Sequence, residues 1–395
     1  MNKISKTVII LSFVSLFTDM ASEMLYPIMP IYLREIGFTV VAIGILEGFA
    51  EAIAGLSKGF FGKWSDSVGK RLPFVQVGYS LSALSKPMMA LFTSGWWIFS
   101  ARSIDRIGKG IRTGARDALL SDEATPTTKG RVFGFHRSMD TIGAMIGPLI
   151  ALAILFYYPG NYKLLFYLAF IPGLLAIVAT FLIKENTQII KKPRINWSFF
   201  NFLAYWKSSP SSYKKLAGAL LLFALLNSSD VFLLLKIKEA GISDTGLILT
   251  YILYNAFYAL LAYPFGIIAD KLGLKKMLIF GLVCFSITYA GFAFASQNMQ
   301  FILLFILYGA YAAASEGIAK AWISNLVPKT ETATAIGTFS GFQSIATLFA
   351  SSAAGLIWAT SGSKTLFLIV AVSVVFITLY IGAFIKQETY KANDE

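Results

Sequence analysis

The sequence is dominated by apolar stretches of about 20 residues, the length at which a helix crosses a bilayer core. Such stretches recur along the whole 395-residue chain. Twelve are predicted, at residues 7–33, 39–62, 72–92, 96–120, 130–157, 162–183, 215–237, 244–269, 275–295, 299–325, 332–359 and 363–385. They are too long for barrel strands, which have near ten residues of alternating polarity. The predicted fold class is therefore an all-α polytopic membrane protein with 12 transmembrane helices and no soluble domain.

Two further features support a retained, disulfide-free membrane chain. The first segment contains Asp19 and Glu23 and lacks a small-residue cleavage site, so we do not expect a cleaved signal peptide. The one cysteine, Cys284, lies in an apolar run. It permits no intramolecular disulfide and is expected to be a buried packing residue.

The distribution of basic residues predicts the orientation of the chain. The formal net charge is +13, and lysine and arginine gather in alternate connections, including those at 63–71, 129–131 and 271–276. The intervening turns "FTSGWW" and "SQNMQ" carry none. By the positive-inside rule we expect both termini to be cytoplasmic. The expected location is the plasma (bacterial inner) membrane. The charge thus encodes orientation, with a share for lipid headgroups, and nucleic acid is not an expected partner.

One long polar break divides the twelve segments into six and six. The predicted division is an N-terminal bundle at 1–183, a cytoplasmic middle loop at 184–214 and a C-terminal bundle at 215–395. Within the loop, "WSFFNFLAYW" has the aromatic and basic neighbours of a helix lying on the membrane surface. A tether between the halves is an equally good interpretation.

The two halves repeat each other weakly but in register. "GKWSDSVGKR" at 62–71 matches "GIIADKLGLKK" at 266–276. Four pairs are separated by 204 residues: Gly37 and Gly241, Gly62 and Gly266, Asp66 and Asp270, Gly69 and Gly273. Several matches at one period indicate an internal duplication.

With twelve segments in two halves and "GKWSDSVGKR" after the second, the chain resembles the major facilitator superfamily of secondary transporters. "RIGKG" at 106–110 is similar to the Arg-x-x-Gln-Gly motif of its drug:proton antiporter branch, with Lys109 in place of glutamine. "GAMIGPLIAL" at 143–152 is similar to that branch's Gly-x-x-x-Gly-Pro-x-x-Gly-Gly, except for the final glycine pair. The resemblance implies two pseudo-symmetric six-helix bundles that work by alternating access.

The resemblance also implies a conformational latch and a hinge. The loop motif is associated in the family with holding the halves closed toward the cytoplasm; plain topology and helix-end solvation are the alternative. The latch residues are Gly62, Asp66, Gly69, Arg71 and Asp270. The small residues and proline of "GAMIGP" suit a hinge or a passive packing kink. The hinge residues are Gly143, Gly147 and Pro148.

The fourth segment carries a charged face that cannot meet lipid. At 100° per residue its charged residues fall within about 120° of one another. They are Arg102, Asp105, Arg106, Lys109, Arg112 and Arg116. Neighbouring segments offer acids, and intramembrane ionisable groups commonly mark ion or substrate pathways. The predicted proton-coupling residues are Asp19, Glu23, Glu51, Asp105 and Asp140, with Arg106 as charge partner. A structural salt-bridge network is the alternative.

The second half offers aromatic and amide side chains instead. Such groups bind organic solutes by stacking and hydrogen bonds, although tyrosine is also common in helix packing. The predicted substrate-binding residues are Tyr26, Arg102, Lys109, Arg112, Asn227, Asp230, Tyr251, Tyr254, Asn255, Tyr258, Glu316 and Gln343. Glu316 is also a candidate second titrating site, or a partner of Lys320 one turn on.

Together these features predict a proton-coupled transporter of a small organic solute, with export favoured. The alternative is a carrier of an organic anion, such as a polycarboxylate, siderophore or phosphate ester, held by the basic face. An enzyme is not expected, because neither a nucleophile with its base nor a metal cluster is seen. A receptor or scaffold is also less favoured. The expected partners are the substrate, protons and membrane lipids, with no cofactor, no metal and a monomeric state.

Overall fold

The computed structural model describes residues 4–26, 28–38, 40–185, 204–242 and 244–387. Its helices are α1 (Lys6–Glu23), α2 (Met29–Glu35), α3 (Val40–Val68), α4 (Leu72–Leu91), α5 (Gly95–Asp122), α6 (Lys129–Tyr157), α7 (Tyr162–Thr180), α8 (Tyr205–Ser208), α9 (Ser211–Ala224), α10 (Val231–Glu239), α11 (Asp244–Leu272), α12 (Leu274–Phe292), α13 (Asn298–Asn325) and α14 (Thr332–Phe384). A short 3₁₀ turn, Lys329–Glu331, precedes α14. These ranges contain no β-strand, so the predicted all-α fold is confirmed.

Each of the twelve predicted segments coincides with helix. The first contains α1 and α2, and the seventh contains α9 and α10. The last two form the two parts of α14, which Gly362 divides with non-helical φ and ψ of 82° and 164°. Six helical spans of the described ranges are long and apolar enough to cross a membrane: Lys129–Tyr157, Tyr162–Thr180, Leu249–Leu272, Leu274–Phe292, Asn298–Asn325 and Lys329–Phe384.

The described residues form two compact units. Unit 1 comprises Met1–Glu123, Met139–Ser208 and Lys329–Gly341, and unit 2 comprises Ala124–Ser138, Ser209–Pro328 and Phe342–Glu395. In unit 1, α5 packs against α3 and α4, and α7 packs against α1 and α4. In unit 2, α13 packs against α11 and α12.

Outside the predicted middle loop, the units differ from the division by sequence in two short segments, 124–138 and 329–341. Each unit therefore includes the first turns of a helix, α6 or α14, whose remainder belongs to the other unit. Most of the middle loop, residues 186–203, lies outside the described residues, as does most of the predicted surface helix. The proposed three-part division and that surface helix stay predictions.

The cores of the two units are apolar and rich in aromatic rings. In unit 1 the edge of Tyr32 meets Phe166 with ring centroids 4.9 Å apart. In unit 2 Phe285 stacks on Tyr289 at 4.1 Å. Cys284 is buried and free, as the sequence predicts.

The internal repeat is visible in the backbone. Gly69 and its counterpart Gly273 both have positive φ, 69° and 104°. A residue with a Cβ is disfavoured at positive φ, so each half needs glycine where the loop leads into α4 or into α12. Gly62 and Gly266 are equivalent in a second way: a Cβ at either would overlap a backbone carbonyl, that of Ala333 in unit 1 or that of Gly130 in unit 2.

Candidate functional site

In unit 1, α1 packs closely on α6 at the place where several of the predicted proton-coupling acids lie. A Cβ on Gly143 would overlap the carbonyl of Leu16, and one on Gly147 would lie 2.6 Å from the carbonyl of Met20. Small residues of this kind let two helix backbones approach closely. Two of the predicted hinge residues thus lie at this contact, and Pro148 follows inside α6.

At this contact two carboxyl groups meet. The side chain of Asp19 in α1 lies within hydrogen-bonding reach of that of Asp140 in α6. Asp140 also accepts a hydrogen bond from the Ser15 hydroxyl. Arg116 in α5 donates to the same hydroxyl at 3.3 Å and is ion-paired with the buried Asp117 at 2.8 Å. Ionised carboxylates only accept hydrogen bonds, so Asp19 and Asp140 can bond to each other when one of them carries a proton.

Basic side chains of α5 face these acids. Lys109 interacts electrostatically with Asp19, Glu23 and Glu51. Arg106 lies 3.9 Å from Glu51, whose side chain is 51% exposed. We call Asp19, Glu23, Glu51 and Asp140 the carboxyl cluster. Four of the five predicted proton-coupling acids and the predicted partner Arg106 thus lie together in unit 1.

The fifth acid, Asp105, faces a different helix. Its carboxylate lies 2.7 Å from the Lys86 ammonium of α4 and 3.7 Å from Arg102, and all three side chains are buried. Ser85 lies within 3.4 Å of it as well. The sequence reasoning missed Lys86. The sequence feature that could have revealed this ion pair is the lysine within the apolar run "SALSKPMMAL", since a charge there requires a buried partner.

Arg112 also turns toward α4. Its guanidinium lies 4.6 Å from the centre of the Tyr79 ring and donates to the Ser82 hydroxyl at 2.5 Å. The charged face of α5 is therefore divided in two. Lys109 and Arg106 face the carboxyl cluster, whereas Asp105 and Arg112 pack against α4.

In unit 2 the predicted substrate residues gather around a helix break. Between α9 and α10 the residues 225–230 are outside both helices. Asp230 accepts a hydrogen bond from the Tyr308 hydroxyl of α13 at 2.6 Å. The Asn227 amide donates to the Tyr311 hydroxyl at 3.2 Å.

The tyrosines of α11 continue this aromatic group. Tyr251, Tyr254 and Tyr258 follow one another with ring centroids 5.8 and 6.1 Å apart. The ring of Tyr254 lies 5.1 Å from that of Tyr308. Asn255 donates to the carbonyl of Tyr251 at 3.1 Å, a bond within its own helix.

Three predicted substrate residues have other surroundings. Glu316 pairs with Arg137 of α6, whose Nε also donates to the Tyr258 hydroxyl at 2.5 Å. Arg137 was not predicted. Gln343 is exposed on α14, and Tyr26, just after α1, is 54% exposed.

The predicted latch residues hold the first turn of α14. Asp66 accepts hydrogen bonds from the Thr334 amide at 2.7 Å and from its hydroxyl at 2.8 Å. Arg71 lies 3.0 Å from Asp66, pairs with Asp122 and donates to the carbonyl of Lys329 at 2.6 Å. All of these groups belong to unit 1.

Glu185 holds the backbone of the latch arginine. Arg71 is the N-cap of α4 but makes no side-chain capping bond. Glu185 instead accepts from the amides of Arg71 and Leu72, at 2.6 and 2.9 Å. A carboxylate at a helix N-terminus is favoured by the free amides and the helix dipole.

Asp270, the repeat counterpart of Asp66, has the same relation to α6. Its carboxylate accepts from the amides of Gly130 and Arg131 at 2.8 and 2.9 Å, all within unit 2. In the described ranges no group of three or more His, Cys, Asp and Glu side chains is placed to hold a metal ion.

The comparisons with known proteins agree with this architecture. The family model of the Major Facilitator Superfamily matches residues 11–237 and 216–394. The uncharacterized MFS-type transporter MJ1317 of Methanocaldococcus jannaschii is 36% identical over 371 residues, which cover 92% of this chain and 91% of that protein. The multi-drug resistance efflux pump PmrA homolog of Lactococcus lactis is 22% identical over 331 residues, covering 79% and 78%.

A solved structure shows the same fold. The human organic anion transporter MFSD10 (TETRAN) matches with a TM-score of 0.84 at 15% identity, covering 96% of this chain and 100% of that one. The proteins matched are transporters and not enzymes. The chain therefore belongs to the major facilitator superfamily and is an integral multi-pass membrane transporter with a drug efflux pump among its relatives.

Proposed function

We propose that the protein is a proton-coupled secondary transporter that exports a small organic solute by alternating access. The observation that carries the proposal is the closeness of the Asp19 and Asp140 carboxyl groups where α1 packs tightly on α6. A carboxyl pair in contact holds one proton between its two members, because two charges at this distance repel each other. The proton can leave only when nearby cations stabilise the ionised pair.

The cations around the pair are suited to that task. Lys109 interacts electrostatically with Asp19, and Arg116 reaches Asp140 through the Ser15 hydroxyl. The pair joins α1 to α6, so a change in its charge alters the attraction between these two helices. Proton binding is thereby linked to helix packing, as coupled transport requires.

The other candidate acids are less suited to carry the proton. Asp105 is tied to Lys86 and Arg102 in a buried ion pair and acts as a structural charge. Glu51 is half exposed and faces Arg106. Glu23 and Glu51 balance the basic face of α5, and Asp19 with Asp140 carries the proton.

The latch residues and the orientation complete the proposal. Asp66 and Asp270 each hold the first turn of one long helix, and release of these contacts accompanies the change of access. Both termini are cytoplasmic, the membrane is the bacterial inner membrane, and the protein acts as a monomer. The basic connections support this orientation.

The organic-anion alternative requires the basic face of α5 to bind the substrate. Arg102 and Arg106 have carboxylate partners, and Lys109 faces three acids. An anionic substrate would have to compete with all of them. Export of a solute that is not an anion is therefore the better supported function.

Transport into proteoliposomes with an acidic interior tests the proposal. Ethidium and calcein serve as fluorescent cation and anion. We expect ethidium to accumulate, a protonophore to abolish its accumulation, and Asp19→Asn and Asp140→Asn each to reduce the rate at least tenfold. Glu123→Gln, an exposed acid at the end of α5, is the matched control. Full activity in both Asn variants would contradict the proton pair, and accumulation of calcein alone would favour the anion carrier.

A further inference from the structure

A helix break in unit 2 places an acidic side chain beside tyrosine rings. The helix α9 ends at Ala224 and α10 begins at Val231, near the middle of the predicted seventh segment. Irregular backbone at membrane depth is tolerated where it lines a cavity or is buried in protein. In transporters, interrupted helices of this kind commonly mark a binding site.

The carboxylate at the break is directed away from its own helix. Asp230 occupies the N-cap of α10, where aspartate usually accepts a bond from the helix amides, but it makes no side-chain capping bond. It accepts from the Tyr308 hydroxyl instead. No ion pair to Asp230 is formed within the described ranges, in contrast to Glu51 and Asp105 of unit 1. A sheltered carboxylate without a cation is costly until a cation or a proton arrives.

Three tyrosine rings lie near this carboxylate, because Asp230 interacts electrostatically with Tyr254, Tyr308 and Tyr311. The Tyr308 ring lies 5.1 Å from that of Tyr254 and 5.2 Å from that of Tyr311, with interplanar angles of 32° and 35°. The negative face of an aromatic ring attracts a cation, and several faces together form the cages that bind quaternary ammonium groups. The electrostatic character of the rings therefore matches that of the carboxylate.

A further acceptor lies on the same segment. Asn227 uses its amide nitrogen to donate to Tyr311, and its carbonyl oxygen is buried with no donor in the described ranges. Asn227, Asp230 and Tyr251 are only partly buried, whereas Tyr254, Tyr308 and Tyr311 are buried. The Asn227 and Asp230 side chains at the helix break are therefore partly accessible, whereas the three rings behind them are buried.

We infer that Asp230, Asn227, Tyr254, Tyr308 and Tyr311 form a binding site for an organic cation, which we call the Asp230 site. The ammonium charge pairs with the Asp230 carboxylate, and the apolar groups of the ligand lie against the tyrosine faces. An N–H on the ligand, where present, donates to the Asn227 carbonyl. As the identity of the exported solute this rests on the proposed function; as a binding site it does not.

Direct binding to the purified full-length protein in detergent tests this site without any proton gradient. The probes are benzyltrimethylammonium and tetramethylammonium, with benzenesulfonate as the aromatic anion. Isothermal titration calorimetry should show saturable binding of benzyltrimethylammonium, weaker binding of tetramethylammonium and none of benzenesulfonate. Asp230→Asn should weaken the binding at least tenfold. Glu239→Gln removes an exposed acid of α10 that pairs with Lys236, and it should leave binding unchanged.

A second pair of variants separates the rings from the fold. Tyr254→Leu removes a ring face and should weaken benzyltrimethylammonium several-fold, whereas Tyr254→Phe keeps the face and should bind within about twofold of wild type. Equal binding by Asp230→Asn and wild type overturns the inference, as does failure of the wild type to bind either cation. Binding of benzenesulfonate at the same site also overturns it. Normal cation binding together with failed proton-driven transport would contradict the proposed function and leave the Asp230 site standing.

Discussion

Asp66 and Thr334 are 268 residues apart in sequence, yet the carboxylate of Asp66 accepts both the amide and the hydroxyl of Thr334, at 2.7 and 2.8 Å. The same carboxylate pairs with Arg71 at 3.0 Å. One acid thus caps α14 and neutralises a buried arginine. Its repeat counterpart, Asp270, caps α6 through two backbone amides.

This difference predicts unequal effects of removing the two acids. Asp66→Ala leaves Arg71 buried beside one remaining acid, so the free energy of unfolding should fall by about 3–5 kcal/mol. Asp270→Ala removes mainly a helix cap and should cost about 1 kcal/mol. Unfolding by a denaturing detergent, followed by circular dichroism, measures both. Equal losses would show that the Arg71 ion pair contributes nothing beyond capping.

Lys86 and Asp105 give a second prediction. Lys86→Met removes the shortest ion pair of the buried Asp105, which keeps the longer Arg102 and Ser85 contacts, and it should destabilise the protein by about 3–5 kcal/mol. The double variant Lys86→Met/Asp105→Asn removes both charges and should recover much of that loss.

The same double variant tests the assignment of the proton site. Because Asp105 acts as a structural charge in our proposal, proton-driven transport by the double variant should stay within a few-fold of wild type. A double variant that folds but lacks proton coupling would indicate that Asp105 carries the proton.

The sequence predicts the helices well because lipid imposes a length and an apolar composition on each one. It also predicts which faces avoid lipid, since the charges of α5 and the acids of α1 cannot face hydrocarbon. Asp66, Arg71 and the glycines of the repeat could be selected from motif and period alone. The residues of the carboxyl cluster were all among the candidates.

The partners of these residues could not be predicted in the same way. Asp105 was grouped with Asp19, yet it faces Lys86, because a side chain's neighbour depends on the rotation of two helices about their axes. Glu185 and Thr334 lie far along the chain from Arg71 and Asp66, and no local pattern connects them. The interrupted helix at Asp230 was also missed, since the short polar stretch in "LNSSDV" lies between apolar flanks long enough to predict one continuous helix.

Gly143 provides a third prediction, about the contact of α1 with α6. A methyl group there would overlap the Leu16 carbonyl, so Gly143→Ala should push the helices apart. We expect a loss of thermal stability and at least a tenfold loss of proton-driven transport, because Asp19 and Asp140 would separate. The control is Gly218→Ala in α9, where a Cβ meets nothing within 4 Å. A Gly143→Ala protein with normal transport would contradict the close contact.

Glu316 gives the last prediction, since the sequence left it as a second titrating site. Its carboxylate pairs with Arg137 in unit 2, and these side chains are 36% and 30% exposed. Partly exposed pairs contribute about 0–1 kcal/mol, so Glu316→Gln should change the unfolding free energy little. If Asp19 and Asp140 carry the proton, Glu316→Gln should also keep the dependence of ethidium accumulation on the pH gradient. Arg137→Gln removes the other member of the pair, and it should likewise retain both the unfolding free energy and the dependence on the pH gradient. Loss of proton coupling in Glu316→Gln with coupling retained in Arg137→Gln would make Glu316 itself a titrating site, because only the carboxyl would then be required.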